Sequence, residues 1–264
     1  MQAITEEDLT QFHRDGYIVL RELIPSSLLA DLRKQAVIAK GIIQEEKGGQ
    51  VQRLQPVSNY AEQLDQKVFQ DYLDLPEMQE GINTVLSPRH YPSALDILGI
   101  FFEPRERPWG SGWHRDVNEE SSRLTHEEFI RMIADPMGCV QVNSALYDDV
   151  STWFVPGSHH RGTDIPGETT AAYAYEDACK NPDASFEECE RAWQRHASAM
   201  PGGVQLILNA GDIALYRAQG WHCGNYHPSR PRATMHYVVG TEKFYKWWRA
   251  WFGADDGPVV FEGF

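Results

Sequence analysis

The sequence predicts a mainly β domain, a β-sandwich or jelly roll, with α-helices packed outside it. Two observations predict this class. From about residue 94 to 240 the chain runs in short segments rich in β-branched and aromatic residues, separated by Gly, Pro and Asp. Before residue 90 the apolar residues instead recur at helical spacing. We therefore expect the 264 residues to form a single domain, with a helical portion over about 1–90 and a jelly-roll core over about 94–240.

The helical portion is expected to open at Thr5. Thr-Glu-Glu-Asp offers a hydroxyl cap, followed by acids that suit the positive end of a helix. A short strand is predicted over 17–20. A longer helix is predicted from Ser26 or Ser27 to the Gly-Gly pair at 48 and 49, because leucine, alanine and isoleucine recur there near a 3.6-residue period.

Six segments are expected to be the core strands of the jelly roll. They are 95–102, 140–146, 152–155, 204–208, 213–216 and 234–239. Two insertions, at about 120–135 and 165–200, interrupt them. Their polar segments 124–134, 169–180 and 185–198 are expected to be helical. Insertions of this length serve either as lids over a binding site or as solvated decoration, and the sequence leaves both readings open.

Composition excludes several classes of protein. A net charge of -14, from 24 Lys+Arg against 38 Asp+Glu, argues against nucleic-acid binding, which needs clustered basic residues. The longest apolar runs fall short of the roughly 20 residues that span a bilayer. The first residues are acidic and lack an apolar signal segment, so we expect a cytoplasmic protein. The four cysteines form no CxxC pair and indicate reduced thiols rather than disulfides or a zinc knuckle.

The leading candidate for chemistry is the segment Trp113-His114-Arg115-Asp116, which follows a turn rich in Pro and Gly. In an extended strand, residues i and i+2 point to the same face, so His114 and Asp116 would converge while Arg115 faces away. An imidazole and a carboxylate on one face supply two thirds of a 2-His-1-carboxylate site for Fe(II). A surface ion pair is the ordinary alternative.

Two other segments carry a similar pattern in the wrong context. His13-Arg14-Asp15 repeats the same triplet at the end of a predicted helix, where residues i and i+2 diverge. His126 and Glu128 lie in a predicted helix as well. Strand context is therefore what distinguishes His114 and Asp116, and His13 and Asp15 are expected to be solvated.

The third ligand is expected from a distant strand on the opposite side of the jelly roll. His222 follows the predicted strand 213–216, and Arg232 comes ten residues later at the start of the last strand. A fixed guanidinium there could bind the far carboxylate of 2-oxoglutarate through two parallel hydrogen bonds. The spacing suits neighbouring antiparallel strands. His227 and Arg230 are rivals in the intervening Pro/Ser-rich turn.

This ordered set of motifs resembles the phytanoyl-CoA dioxygenase-like (PhyH) family of Fe(II)/2-oxoglutarate-dependent oxygenases. The resemblance covers nearly the whole chain and rests on Phe12-His13-Arg14-Asp15-Gly16-Tyr17, His114-Arg115-Asp116, Pro156-Gly157-Ser158-His159, Gly211-Asp212, His222 and Arg232. It implies a double-stranded β-helix core of the cupin-like jelly-roll type. It also implies that His114, Asp116 and His222 hold iron, and that Arg232 binds the C5 carboxylate of 2-oxoglutarate.

The resemblance implies further cosubstrate contacts at Thr152, Asn143 and Arg53. For each, an ordinary structural role is an equal alternative: a strand-edge threonine, a satisfied core amide and a surface arginine. The sequence also departs from the family pattern. Residues 148–151, Asp-Asp-Val-Ser, replace the usual Asn-Gly, and Gly224 stands where a small hydroxyl residue is common.

The implied reaction oxidises a small metabolite or natural-product intermediate, most simply by hydroxylation, while O2 converts 2-oxoglutarate to succinate. Asp116 favours hydroxylation, desaturation or rearrangement over halogenation, because related halogenases leave that ligand position small. Four tryptophans near the motifs could line an aromatic substrate wall or simply pack the core: Trp109, Trp113, Trp153 and Trp221. Trp247, Trp248 and Trp251 could cap the jelly roll or make a homodimer contact.

Two other classes of protein compete with the oxygenase. One is a non-catalytic jelly-roll module that binds a metal or a ligand. The other is a cupin-like hydrolase or isomerase in which metal-bound water is the nucleophile. Arg232 discriminates between them, since neither alternative requires a buried cation ten residues after the last metal ligand. A small-molecule substrate, and no nucleic acid or membrane partner, is expected.

Overall fold

The computed structural model describes residues 4–86, 90, 94–116, 125–133, 138–241 and 244. The α-helices of this part of the chain are α1 Glu6–Asp15, α2 Ser26–Lys47, α3 Gln66–Leu73, α4 Pro76–Leu86, α5 His126–Ile133, α6 Glu168–Tyr173, α7 Asp177–Lys180 and α8 Phe186–Ser198. The predicted start at Thr5 is confirmed: its side chain accepts from the Asp8 amide at 3.1 Å, and Asp8 caps the Thr5 amide in return. The predicted helix after Ser26 is confirmed as α2.

The insertion at 165–200 differs from its predicted form in one place. The expected helix over 169–180 is two short helices, α6 and α7, because Ala174 leaves the helical region. The residues between the two helices, Tyr175 and Glu176, contact α8. Tyr175 stacks on His196 with ring centroids 4.5 Å apart, and Glu176 forms an ion pair with Arg195. Tertiary contacts therefore override the local helical preference.

The described strands are β1 Tyr17–Leu20, β2 Arg53–Leu54, β3 Gly99–Phe102, β4 Trp109–Gly110, β5 Cys139–Ala145, β6 Thr152–Phe154, β7 Val204–Gln205, β8 Ile213–Tyr216, β9 His222–Tyr226 and β10 Ala233–Gly240. They form two antiparallel sheets, with strand orders β1-β8-β5-β10-β3-β2 and β4-β9-β6-β7. Ala145 and Tyr216 of the first sheet share one buried cluster with Phe154 of the second. The two sheets therefore pack on each other as a jelly roll, as predicted.

Several strand predictions need correction. The strand expected over 95–102 begins only at Gly99, because the Ala94 carbonyl accepts from the amides of Ile97 and Leu98 and forms a turn. The strand expected over 204–208 stops at Gln205, and Leu208 keeps only a single bridge to Asp149. The short strands β2 and β4, and also β9, were not predicted. Two of them have two residues, which is too short for a periodic pattern.

The amino-terminal helices pack outside the larger sheet. Phe12 of α1, Leu32 of α2 and Ile82 of α4 share one buried cluster with Val142 and Met235 of the sheet. These helices lie in the portion before residue 90 that the sequence indicates to be helical. Among the described residues, no helix is both long and apolar enough to cross a membrane. Trp247, Trp248 and Trp251 lie outside the described residues.

Candidate metal and cosubstrate site

His114 and His222 come together through backbone pairing. The His114 amide donates to the His222 carbonyl at 2.9 Å, and the reverse bond is 3.0 Å. The pairing continues that of β4 with β9, in which Gly110 lies opposite Asn225. The expectation that the third ligand comes from the opposite side of the jelly roll is therefore wrong. The two histidines are neighbours because the strand order places β9 beside the segment that carries His114.

Both imidazole rings are oriented by a glycine carbonyl two residues earlier. His114 Nδ1 lies 2.9 Å from the Gly112 oxygen, and His222 Nδ1 lies 2.9 Å from the Gly220 oxygen. A carbonyl only accepts, so each Nδ1 carries a proton, and Nε2 is the nitrogen left to bind a metal. Burial, reinforced by the nearby His114 imidazole, lowers the pKa of His222 to about 4. His222 is therefore neutral near pH 7, the form that binds metals.

Asp116 completes the cluster. Its Oδ1 lies 3.5 Å from His114 Nε2 and 3.6 Å from His222 Nε2, and the three ligand atoms all lie within 4.8 Å of one another. Gln141 donates to the other oxygen, Oδ2. Asp116 lies in a bend rather than in the expected strand, and its amide bonds the Ala218 carbonyl at 3.0 Å. Two imidazoles and one carboxylate are the ligand set of a 2-His-1-carboxylate site, which suits divalent iron.

The other histidine motifs serve different purposes. His13 lies at the end of α1, and its carbonyl accepts from the Nε2 atoms of His159 and His160. His159 lies in a buried 3-10 turn over Ser158–His160. His13 and Asp15 are half-buried, contrary to the expectation that they are solvated. In the described part of the chain, no second trio of His, Cys, Asp or Glu brings its ligand atoms as close as the 114/116/222 cluster.

A cavity of about 480 Å³ opens beside the three ligands. It is lined by Gln52, Arg53, Phe101, Trp109, Ser111, His114, Asp116, Gln141, Asn143, Thr152, Tyr216, His222, Cys223, Gly224, Tyr226, His236 and Val238. Of the four tryptophans singled out from the sequence, only Trp109 lines it. The other three belong to a buried cluster against the 165–200 insertion, so most of the proposed aromatic wall is packing.

Arg232 is buried just behind this lining. Its guanidinium carbon lies 4.3 Å from the ring centre of Tyr226 and 5.3 Å from that of Phe101. Its Nε donates to Asp149 at 3.1 Å, while Nη1 is buried without a hydrogen-bond partner. An unpartnered buried donor is costly, and a carboxylate at that point would satisfy it. The residue therefore fits the distal carboxylate of 2-oxoglutarate.

The spacing between His222 and Arg232 needs a correction. β9 and β10 are not neighbouring strands, because they belong to different sheets, which residues 227–232 connect. The two rival residues in this connection, His227 and Arg230, do not line the cavity. His227 Nε2 lies 3.1 Å from the Glu190 carboxylate, and Arg230 is exposed.

Sequence reasoning missed His236. Its Nδ1 lies 2.6 Å from Asn143 Oδ1, and the Asn143 amide nitrogen donates to the Tyr216 hydroxyl at 3.2 Å. All three side chains line the cavity. Burial, helped by the Arg53 and Arg232 charges, lowers the pKa of His236 well below its usual value. Strand alternation in β10 could have revealed it, because Arg232, Thr234 and His236 are spaced two residues apart.

The remaining candidates line the cavity as well. Thr152 and Asn143 are buried in its wall, and the guanidinium of Arg53 lies over the Phe101 ring at 5.3 Å. The structure thus brings Arg53, Asn143 and Thr152 to the same cavity as the three ligands. Cys223 lines it too, but burial raises the pKa of its thiol well above the usual value, so it is not a thiolate.

The chain belongs to the phytanoyl-CoA dioxygenase (PhyH) family, whose model matches residues 12–232. This confirms the resemblance read from the motifs and makes the protein an Fe(II)- and 2-oxoglutarate-dependent enzyme. Fe(II), 2-oxoglutarate and O2 are the cofactors of that family, as expected from the sequence. No curated protein matches the sequence.

Solved structures share the fold at low sequence identity. The epimerase SnoN in complex with Fe3+, alpha ketoglutarate and nogalamycin RO is 16% identical, with a TM-score of 0.55, over 89% of this chain and 83% of its own. EctD from S. alaskensis with 2-oxoglutarate and 5-hydroxyectoine is 18% identical (TM-score 0.58; 91% and 77% covered). HygX from Streptomyces hygroscopicus with nickel and 2-oxoglutarate is 15% identical (TM-score 0.56; 91% and 88% covered).

Proposed function

We propose that this protein is an Fe(II)/2-oxoglutarate-dependent dioxygenase that hydroxylates a small metabolite or natural-product intermediate in the cytoplasm. The observation that carries the proposal is the meeting of two imidazole Nε2 atoms and one carboxylate oxygen within 4.8 Å, beside a cavity and a buried, incompletely bonded guanidinium. Bound ferrous iron, with 2-oxoglutarate and O2, supplies the oxidising chemistry, and the cosubstrate leaves as succinate and CO2.

The chain's own part in the reaction is to bind and orient. His114, Asp116 and His222 would hold the iron through two imidazole nitrogens and one carboxylate oxygen. The carbonyl oxygens of Gly112 and Gly220 hold a proton on Nδ1 of each ring, so that Nε2 is the nitrogen available to the metal.

The cosubstrate is proposed to extend from the metal toward Arg232, which binds its C5 carboxylate. Thr152 and Asn143 line the wall between these two ends, and Arg53 adds a second basic group. Phe101 and Tyr226 flank the Arg232 guanidinium and limit its access to water, which strengthens a charge-assisted hydrogen bond there. His236, Trp109 and Val238 are left to face a substrate.

Hydroxylation is the simplest outcome, but the shared fold also supports other oxidations. SnoN is described as an epimerase and SnoK as a carbocyclase, and both are described as alpha ketoglutarate dependent. Desaturation or ring rearrangement is therefore the alternative within this class. A binding module, or a hydrolase or isomerase, remains the alternative outside it, and the unpartnered Nη1 of Arg232 argues against both of these.

The test begins without oxygen. Fe(II) and 2-oxoglutarate are titrated into the protein while the weak metal-to-ligand charge-transfer band is followed, and succinate is measured after O2 is admitted. We expect the band and a slow, substrate-independent release of succinate. A band without succinate would favour the binding module. No band at saturating Fe(II) and 2-oxoglutarate would refute the proposed site.

A further inference from the structure

The arginine expected to bind the cosubstrate already has a counter-ion. Arg232 and Asp149 are both buried, with side chains 3% and 4% exposed, and the Nε to Oδ2 distance is 3.1 Å. Asp149 is held in place by two more donors, the Thr234 hydroxyl at 3.0 Å and the Ser151 amide at 2.7 Å. Burial alone would raise the pKa of Asp149, but Arg232 and Ser151 together lower it, so the residue is ionised. Arg232 alone therefore brings no net charge to the cavity.

Other groups at this end of the cavity leave one positive charge unmatched. Glu103 accepts from the Arg232 amide at 3.0 Å and pairs with Lys40, so these two cancel. His236 is neutral for the reasons given above. Arg53 lines the cavity, and its guanidinium bonds the uncharged side chain of Gln55.

Arg53 and Arg232 lie near the same aromatic ring, and both charges lower the pKa of His236. Both guanidinium carbons lie 5.3 Å from the ring centre of Phe101. The carboxylate whose charge acts on Arg53 is Asp116. Because Asp116 is a proposed iron ligand, its negative charge would be neutralised by the metal. Within the part of the chain that the structure describes, Arg53 thus lacks a carboxylate of its own.

We propose that the two arginines divide the recognition of the distal carboxylate: Arg232, neutralised by Asp149, supplies directed hydrogen bonds, and Arg53 supplies the net positive charge. The inference rests on the proposed function and specifies which cosubstrate the site accepts. It makes Asp149, one of the residues that depart from the family pattern, a determinant of cosubstrate affinity. A 2-oxo acid with one distal carboxylate matches the single unpaired charge.

This arrangement predicts compensation between two positions that carry opposite charges. Arg53→Gln removes the unmatched positive charge and should weaken the binding of 2-oxoglutarate about tenfold. Asp149→Asn frees the charge of Arg232 and should tighten it about threefold. The double variant restores one net positive charge, so its Kd should return to within about threefold of the wild-type value.

The measurement is the dissociation constant from the anaerobic Fe(II) charge-transfer titration, made with 2-oxoglutarate and with 2-oxopentanoate. The second acid has the same five carbons and the same metal-binding group, but ends in a methyl group. Its affinity should stay unchanged in all three variants. This comparison separates loss of charge recognition from general damage to the site.

Two control variants make the same charge changes at exposed positions. The controls are Asp148→Asn, at the exposed residue next to Asp149, and Arg105→Gln, at an exposed arginine. Both should bind the two acids like the wild type. Thermal unfolding of the apoprotein adds an independent readout: Asp149→Asn should be less stable, because Arg232 is left buried without a counter-ion, and 2-oxoglutarate should stabilise it more than the wild type.

The inference fails if the double variant binds 2-oxoglutarate no better than Arg53→Gln. It also fails if Asp149→Asn alone lowers the affinity for 2-oxoglutarate. Either result would mean that Asp149 only positions Arg232. It also fails if Arg53→Gln weakens both acids equally. These outcomes are distinct from failure of the proposed function, which shows itself as the absence of a charge-transfer band with either acid in the wild-type protein.

Discussion

The triplet His-Arg-Asp occurs twice in this chain, and the two copies show how context decides chemistry. In the first copy, Arg14 bonds both oxygens of Asp15 at 2.8 Å, so the acid is occupied by its own neighbour. In the second, Arg115 points away, donating to the Ser158 and Gln219 carbonyls at 2.8 and 2.7 Å. The acid of the second copy, Asp116, is therefore left free to face two imidazoles.

One turn holds both copies in place. The Gly157 amide donates to the Asp15 carbonyl at 2.9 Å, and the next residue, Ser158, accepts from Arg115. His159, also in this turn, packs so close to Gly16 that a Cβ there would lie 2.3 Å from its ring. The first copy is therefore a structural support and the second belongs to the proposed metal site, and the Pro-Gly-Ser-His turn contacts both.

The largest effect should come from removing the acid of the second triplet. Asp116→Ala removes one of the three ligands, so we expect Fe(II) affinity to fall at least about a hundredfold and succinate release to cease. Asp15→Ala, the matched change in the first triplet, should leave Fe(II) binding intact. Calorimetric titration with Fe(II) checks both variants. Full turnover by Asp116→Ala would refute the assignment of Asp116 as an iron ligand.

Arg232→Gln should raise the Kd for 2-oxoglutarate about a hundredfold, because the distal carboxylate loses its directed donors and Asp149 is left buried without a counter-ion. Fe(II) affinity should stay the same, since the metal ligands lie at the other end of the cavity. The comparison of the two constants in anaerobic titrations is the check. If the variant bound 2-oxoglutarate as well as the wild type, a basic residue other than Arg232 would bind the C5 carboxylate.

Gln141→Leu tests the support that the second triplet has and the first lacks. Gln141 donates to the Asp116 oxygen that faces away from the imidazoles, so its loss frees the carboxylate to rotate. We expect Fe(II) affinity to fall roughly tenfold, at the lower end of the range for residues behind a metal ligand. An affinity equal to that of the wild type would mean that the backbone alone holds Asp116.

The smallest effect concerns the turn itself. Burial lowers the pKa of His159 to about 3, so the folded state holds it neutral while the unfolded state takes up a proton below about pH 6.5. Stability from this group is present above pH 6.5 and is lost as the pH falls toward 3. We expect the free energy of unfolding to drop by about 1 kcal/mol per pH unit in that window.

His159→Phe should flatten this pH dependence relative to the wild type, while Fe(II) binding at pH 7 is retained. Denaturant unfolding between pH 4 and 7 measures the slope. An equal slope in both proteins would assign the acid sensitivity to another group.

Much of the fold followed from local pattern, and the errors have a common cause. β1, α2 and β8 were found because capping, periodicity and β-branched composition are properties of neighbouring residues. β2, β4 and β9 were missed because pairing with distant partners defines them. His236 shares the two-residue spacing of Arg232 and Thr234, but its contact with Asn143, and through it with Tyr216, is visible only in the structure.

The sequence by itself determined the class of the fold and the family, and it supplied the residues that we propose bind iron and 2-oxoglutarate. Their order along the chain is a one-dimensional property and survives without coordinates. Only the tertiary structure decided that His114 and His222 are paired neighbours, that Arg232 directly precedes a strand of the other sheet, and that Asp149 forms an ion pair with it. Those are relations between residues tens of positions apart, and they depend on how two sheets are connected and packed, which no local pattern encodes.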